Sequence, residues 1–302
     1  MKTYSRLHEK LTKGKFVVTG ECGPPRGANK DVIDKKIRLL RGFVDAVNVT
    51  DNQTAIVRMS SIAASAHLVA AGLEPVMQMV VRDRNRIAIQ SDIMGAYSLG
   101  IKNILCLSGD HQKFGSQPDA MNVFDIDSVN LIRTVKDMRD SGKDMSGFDL
   151  DVAPKMFIGA AANPFADPFE YRVIRLAKKI DAGADFIQTQ CIYNMDRFKE
   201  WIRRANNEGL TDKVYILGGI TPLKSAGMAR YMNNKVAGMD VPESIIKRMD
   251  GVDKKSRADE GIKICLETIE ELKETNGVHG VHIMAIEWEE VVGQIVEQAG
   301  LK

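Results

Sequence analysis

Four helical patterns in this sequence end in glycine and are followed within a few residues by an apolar run. The pairs are "AHLVAAG" before "LEPVMQMVV", "IMGAYSLG" before "IKNILCLSGD", "LAKKIDAG" before "ADFIQTQ", and "IRRANNEG" before "LTDKVYILGG". Glycine after a helix takes the left-handed conformation that ends it, and an apolar run without alternation is typical of a strand buried on both faces. This alternation predicts a parallel α/β protein.

Eight strand patterns recur along the chain, each followed by a helical pattern. The strands cover 16–20, 44–49, 75–81, 102–107, 155–161, 185–190, 213–218 and 280–286, and the helices lie near 30–41, 57–71, 86–99, 126–141, 168–182, 194–208, 223–234 with 242–274, and 287–298. Eight such units with no linker between them predict a single (β/α)8 TIM barrel over residues 1–302. An open doubly wound sheet is the alternative, but no G-x-G-x-x-G or G-x-x-x-x-G-K-[ST] motif follows any strand.

The first segment, "MKTYSRLHEKL", places Tyr4, Leu7 and Leu11 at helical spacing. We expect an N-terminal helix that caps the bottom of the barrel, with contact to another subunit of a homo-oligomer as the alternative. Charges interrupt this segment, so it does not have the apolar core of a signal peptide, and no stretch is long enough to span a membrane. We expect a cytoplasmic protein.

Composition excludes several classes of site and partner. The formal net charge of +2 is too small to indicate a nucleic-acid-binding protein. The four cysteines lie far apart with no CxxC pair, which argues against a zinc site or a disulfide framework. The only metal-like histidine spacing is in "HGVH", which we interpret as residues at a strand edge. We therefore predict no metal site.

Polar residues stand where the predicted strands end, which is the end of a TIM barrel that carries the chemistry. The first strand ends at Glu21, just before Pro24 and Pro25, which cannot continue a strand. Further polar or small residues at strand ends are Thr50, Gln78, Ser108, Gly109, Asp110, His111, Asn163 and Gln190. Their number favours a binding or catalytic site at the barrel mouth.

Each of these residues also has a structural interpretation. Glu21 is either a general acid or a loop residue paired with Arg26, Asp110 either acts on a ligand or begins a turn, and Gln190 alone is more often a satisfied amide. The segment 109–128 is far longer than an ordinary βα loop, which favours a lid or a cofactor-binding loop. Asp127 or Ser128 then caps the next helix.

The ordered set "GECGPPR", "VNVT", "CLSGD", "KKIDAGADFIQTQ" and "GGITPL" resembles the methylenetetrahydrofolate reductase family over nearly the whole chain. We expect the short bacterial form, without an additional regulatory domain. The resemblance implies a flavin at the barrel mouth, a folate stacked against it, and transfer of a hydride to 5,10-methylenetetrahydrofolate. Glu21 matches the general acid that protonates N10, Asp110 the carboxylate that stabilises the cationic intermediate, and Gln190 the glutamine that binds the pterin.

The same resemblance places Thr50, Lys179 and the run Ser108-Gly109-Asp110-His111 at the cofactor. Gln78, Ser108, Asn163 and Arg172 stand where the familiar bacterial enzyme has a histidine, an arginine, a tyrosine and an aspartate. These departures put the adenine half of FAD in question and make FMN an alternative. Arg172 close to Lys179 suits the terminal phosphate of FMN.

Tyr231 and Met232 fall near the position at which the family stacks a nicotinamide on a phenylalanine. This departure predicts that electrons come from a partner subunit, as in reductases of some anaerobic, one-carbon-fixing bacteria. Two other functions share the predicted barrel and its polar mouth. One is a pterin-binding methyltransferase without flavin, and the other is a non-catalytic subunit that binds folate or flavin.

Overall fold

A closed ring of eight parallel strands forms the centre of the computed structural model, which describes residues 3–236 and 238–302. The strands β1 to β8 are Val17–Cys22, Ala46–Val49, Pro75–Val80, Asn103–Leu107, Phe157–Ala162, Phe186–Cys191, Tyr215–Ile220 and Gly280–Ile283. Each strand pairs with the next along the chain, and β8 pairs with β1. The predicted TIM barrel is confirmed, and the open sheet is excluded.

Helices surround this ring and follow the strands as the sequence predicts. In chain order, α1 to α11 are Arg6–Thr12, Lys30–Leu40, Ser61–Ala70, Arg86–Ser98, Ser128–Ser141, Tyr171–Ala182, Met195–Asn207, Ala226–Lys235, Glu243–Asp250, Arg257–Glu274 and Glu290–Gln298. The prediction of one helical segment over 242–274 is wrong. A turn in which Ser256 N–H donates to the carbonyl oxygen of Asp253 at 2.8 Å separates α9 from α10.

The helix that follows β4 shows how local sequence sets these boundaries. The Oδ1 atom of Asp127 accepts a hydrogen bond from the backbone N–H of Asn130 at 2.7 Å and so caps α5. The predicted cap is confirmed at Asp127, and Ser128 becomes the first helical residue. Because α5 follows β4 along the chain, its N-terminus lies at the end of the barrel where the strands have their carboxyl ends, and its partial positive charge there favours anions.

Packing at the opposite end of the barrel involves α1. Leu7 and Leu11 are buried in one apolar cluster with the first residues of several strands, including Phe157 and Phe186. His8 stacks on Phe157 with 4.4 Å between ring centroids. Since α1 buries this apolar face against the strands, the chain itself supplies the surface that covers Leu7 and Leu11.

The remaining core lies in two places. A large cluster fills the space between the strands and the surrounding helices, and a smaller one lies around α8 and α9. Within the described ranges, no helix combines the length and the apolar character needed to cross a membrane.

Candidate active site at the barrel mouth

A cavity of about 440 Å³ opens at the carboxyl ends of the strands. Seven residues predicted from the sequence line it: Glu21, Gln78, Ser108, Asn163, Arg172, Lys179 and Gln190. They come from β1, β3, β6, α6 and the loops after β4 and β5, so the closed ring brings together side chains that are distant in sequence. Its volume lies in the range of ordinary small-molecule sites.

Glu21 lies on the β1 side of this cavity, and its side chain is 11% exposed. Its Oε2 atom is 3.8 Å from Nε2 of His282, which lies on the neighbouring strand β8. His282 also lines the cavity, and its side chain is 4% exposed. The interpretation of "HGVH" as strand-edge residues is therefore wrong for His282, which lies within β8 and faces the barrel interior.

His282 is one of a set of buried polar side chains inside the barrel. Thr19 Oγ1 lies 2.9 Å from His282 Nδ1, and Gln188 Nε2 donates to Thr19 Oγ1 at 3.3 Å. Asn48 and Gln188 exchange two amide hydrogen bonds of 2.6 and 3.0 Å. Sequence reasoning missed all four residues. Asn48 in "AVNV" and Gln188 in "FIQTQ" could have indicated this set, since a polar side chain inside a buried strand needs a hydrogen-bond partner.

The α6 side of the cavity carries positive charge. Arg172, Arg175 and Lys179 lie three to seven residues apart on this helix and all line the cavity. Among the described residues, no carboxylate lies within ion-pair distance of these three cations. Arg175 was missed, although its position three residues after Arg172 places it on the same helix face.

Lys179 is the most deeply placed of these cations. Its ammonium group donates to the carbonyl oxygen of Ala161. Burial, and then the nearby charge of Arg175, lowers the pKa of Lys179 to about 8. A half-buried ammonium group without a carboxylate partner among the described residues is suited to pairing with an anionic ligand.

Two hydroxyl groups lie at the same cavity. Ser108 Oγ donates to Ser128 Oγ at 3.2 Å, and Ser128 begins α5, a helix of 14 residues. Together with the three cations, these groups place charge, hydroxyls and a helix N-terminus around one cavity. The cavity thus has an acid and an imidazole at one wall and an anion-binding surface at another.

Asp110 lies on the rim, outside the residues that line the cavity. It is exposed, and its Oδ2 atom accepts a hydrogen bond from the backbone N–H of Thr54 at 3.1 Å. Gly109 has a left-handed φ of 87°, and His111 Nδ1 accepts from Lys113 N–H at 3.3 Å to cap a short turn. Contact of Gly109, Asp110 and His111 with a ligand stays a prediction.

Arg82 holds this rim together, and sequence reasoning missed it. The side chain is 3% exposed, and its guanidinium donates to the carbonyl oxygens of Asp110 at 2.9 Å and Asn52 at 3.3 Å. Its own carbonyl accepts from Val123 N–H at 2.9 Å. One buried arginine therefore joins the loops that follow β2, β3 and β4.

The structure places three other predicted residues, Thr50, Gln190 and Tyr231, in different surroundings from one another. Thr50 is 2% exposed, and its hydroxyl has no hydrogen-bond partner among the described residues. Gln190 Oε1 accepts from Cys191 N–H at 3.1 Å, which leaves the amide N–H groups of Gln190 available to a ligand. Tyr231 is 61% exposed on α8 and does not line the cavity.

No cluster of three or more histidine, cysteine or acidic residues that could hold a metal was found over residues 3–236 and 238–302.

Comparison with known proteins gives a match over almost the whole chain. The family model described as methylenetetrahydrofolate reductase matches residues 6–300. A probable methylenetetrahydrofolate reductase (NADPH) of Caenorhabditis elegans is 24% identical over 320 residues, which cover 99% of this chain and 45% of that protein. The 5,10-methylenetetrahydrofolate reductase of Pectobacterium carotovorum is 25% identical over 233 residues, which cover 76% of this chain and 71% of that protein.

The chain thus spans less than half the length of its C. elegans relative. Among solved structures, an uncharacterized protein from Clostridium thermocellum that binds two copies of 5-methyl-5,6,7,8-tetrahydrofolic acid superposes with a TM-score of 0.67. That likeness covers 99% of this chain and 100% of the other, at 16% sequence identity. A 2,3-dimethylmalate lyase superposes with a TM-score of 0.52 at 13% identity. At these identities the two structures show a shared fold.

Proposed function

The chain belongs to the methylenetetrahydrofolate reductase family, and on this basis we propose that it reduces 5,10-methylenetetrahydrofolate to 5-methyltetrahydrofolate with a flavin as its cofactor. The observation that carries the proposal is that one cavity holds both Glu21 and an anion-binding surface on α6. The reaction needs a proton donor next to the folate and a cofactor next to both. The cavity offers a place for each.

The residues of the α6 side fit a flavin that carries a phosphate. Arg172, Arg175 and Lys179 offer cationic groups without carboxylate partners among the described residues, and Ser108 and Ser128 offer hydroxyls. We propose FMN rather than FAD, because a cluster at a cavity wall suits a terminal phosphate. When bound, a flavin supplies hydride transfer.

Glu21 supplies the proton in this proposal. The imidazolidine ring of the substrate opens to a 5-iminium cation only if the leaving nitrogen N10 gains a proton. A carboxylic acid shielded from bulk water can deliver it, a contribution of typically about 10²–10⁴-fold to the rate. The burial of Glu21 and its position at the cavity wall support this role.

Asp110 and Gln190 then act on the folate. Gln190 has its carbonyl oxygen engaged by Cys191 N–H, so its amide N–H groups are the part that can bind the pterin. Asp110 lies on the rim, from which its negative charge can stabilise the iminium cation once the folate fills the mouth. Both roles are implied by the family resemblance of the sequence. They agree with the positions of Gln190 at the cavity wall and of Asp110 on its rim.

We further propose that the electrons reach the flavin from a partner subunit. Tyr231, the residue nearest in sequence to a nicotinamide-stacking position, is 61% exposed and away from the cavity lining. Full turnover with NADH by the isolated chain would contradict this part of the proposal. Turnover with NADH only after addition of a co-purifying protein would support it.

The absorption spectrum of the purified chain tests the proposed function. We expect a flavin spectrum that dithionite bleaches and methylenetetrahydrofolate restores, and chromatography of the released cofactor separates FMN from FAD. A colourless protein that neither flavin reconstitutes would support the methyltransferase alternative. A flavoprotein that the folate fails to reoxidise would support a non-catalytic binding subunit.

A further inference from the structure

Five buried or nearly buried side chains form a continuous polar chain through the barrel to Glu21. They are Asn48 on β2, Gln188 on β6, Thr19 and Glu21 on β1, and His282 on β8. Asn48 and Thr19 are 0% exposed, and Gln188 and His282 are 3% exposed. These side chains are almost entirely shielded from solvent, although Glu21, Gln188 and His282 border the 440 Å³ cavity, so they find most of their hydrogen-bond partners among themselves.

The orientation of the two amides in the structure gives this chain a direction. Asn48 donates to Gln188 Oε1 and accepts from Gln188 Nε2, so each amide uses its oxygen and one hydrogen within the pair. The second hydrogen of Gln188 Nε2 points to Thr19 Oγ1 at 3.3 Å. Thr19 therefore accepts at its oxygen and has one hydrogen left to donate.

The hydroxyl hydrogen of Thr19 has His282 Nδ1 as its nearer acceptor, at 2.9 Å, whereas the carbonyl oxygen of Val281 is 3.5 Å away. Nδ1 that accepts a hydrogen bond carries no proton in the neutral imidazole, so the proton is on Nε2. Nε2 faces Glu21 Oε2 at 3.8 Å. The tautomer of His282 thus decides whether Glu21 faces an N–H group or a lone pair.

We infer that Gln188, held in place by Asn48, is a positioning residue that fixes His282 as the Nε2–H tautomer through Thr19 and so turns an N–H group toward the Glu21 carboxylate. The catalytic consequence rests on the proposed function. When Glu21 has given its proton to N10 it becomes a carboxylate, and the Nε2–H group stabilises that product of the step. A bare Nε2 would oppose it by placing a lone pair against a negative charge.

The competing possibility is that every hydrogen bond from Gln188 to His282 runs in the opposite direction, and an experiment must distinguish the two directions. If both amides of the pair are turned over, Gln188 accepts from Thr19, Thr19 accepts from Nδ1–H, and Nε2 is bare. The two arrangements have the same number of hydrogen bonds but place the proton on opposite nitrogens of His282. Nitrogen chemical shifts of ¹⁵N-labelled histidine distinguish them directly.

The test uses the full chain with labelled histidine and assigns His282 from the signal lost in His282→Gln. The double variant Asn48→Leu with Gln188→Met replaces both amides by apolar groups of similar size, so neither partner is left unsatisfied. Thr19→Val removes the hydroxyl that reaches Nδ1, and Thr19→Ser restores it. Thr134→Val removes a buried hydroxyl on α5, away from this chain, and serves as the control.

We expect His282 to carry its proton on Nε2 in the wild type, in Thr19→Ser and in the control, and to become a mixture of tautomers in Thr19→Val and in the double variant. Folate reduction should slow by about 10–100-fold in these two variants, which is the size of effect seen when a hydrogen bond that orients a metal-ligating histidine is lost. Reduction of the flavin by dithionite should be unchanged.

A proton on Nδ1 in the wild type, or an unchanged tautomer in Thr19→Val, would overturn the inference. If the double variant does not fold, Thr19→Val and Thr19→Ser still show whether the Thr19 hydroxyl sets the tautomer of His282. Absence of folate reduction in the wild type would refute the proposed function alone, because the tautomer measurements need no turnover.

Discussion

The Oδ2 atom of Asp110 accepts a hydrogen bond from the backbone N–H of Thr54 at 3.1 Å, and Thr54 has a φ of 57°. Asn52 and Ala55 also have positive φ values, of 44° and 55°. Non-glycine residues rarely adopt this conformation unless neighbouring groups hold them there. One carboxylate on the loop after β4 therefore stabilises a strained segment of the loop after β2, in addition to any role that it has toward the folate.

Two substitutions separate these roles of Asp110. Asp110→Asn keeps an oxygen that can accept from Thr54 N–H but removes the negative charge, so it should slow folate reduction without altering the loops. Asp110→Ala removes both and should also increase proteolytic cleavage in the segment 52–57. Equal folate kinetics in Asp110→Asn and the wild type, measured by stopped flow, would leave Asp110 as a residue of loop structure only.

Glu21→Gln should leave reduction of the flavin intact and abolish reduction of the folate. The amide has nearly the same shape but has no acidic proton to give to N10, and the expected loss is at least about 10²-fold. Separate measurement of the two half-reactions tests this. Glu208→Gln changes an exposed carboxylate at the end of α7, outside the 440 Å³ cavity, and is the control. An equal loss in both half-reactions would contradict the general-acid role.

Binding of FMN should weaken as the pH rises above about 8. Burial lowers the pKa of Lys179 to about 8, so the free protein loses this cation above that pH, whereas a bound phosphate favours the charged form. The dissociation constant should then rise by up to about tenfold per pH unit.

Fluorescence titration with FMN measures this dependence, and riboflavin, which has no phosphate, is the ligand control. Lys179→Arg keeps its charge over the whole range and should bind FMN with a flat profile. Lys179→Met should bind FMN weakly at every pH. The same pH dependence in Lys179→Met and in the wild type would show that another group is responsible.

Two glycine-to-alanine substitutions in helices should have opposite effects on stability. A Cβ at Gly95, in α4, would meet no atom within 4 Å, so Gly95→Ala should stabilise the protein by about 0.5–1 kcal/mol. A Cβ at Gly261, in α10, would lie 1.8 Å from the carbonyl oxygen of Leu223, so Gly261→Ala should destabilise it by about 1–3 kcal/mol. Urea unfolding measures both. An equal change in the free energy of unfolding for both variants would show that helix propensity alone determines the effect.

The sequence was sufficient for the barrel and for much of its mouth. Apolar runs ending in polar residues located Glu21 and Asn163, because parallel strands in a closed ring end at the same edge, whereas Gln78 lies within β3 and reaches the cavity from there. His282 could not be placed in this way, since whether a residue of a buried strand faces the barrel interior or the helices depends on register. Arg82 was missed because, apart from the neighbouring Asp83, its partners are backbone carbonyls, which any sequence supplies.

The connection between β7 and β8 contains three helices, α8, α9 and α10, where most other connections have one. The cluster around α8 and α9 is separate from the main core, and Arg248 links α9 to α10 through ion pairs with Glu260 and Glu267. A segment with its own small core can open while the strand ring stays intact. We therefore expect α8 and α9 to open more readily than the strand ring, so their amide hydrogens should exchange with solvent earlier than those of the strands.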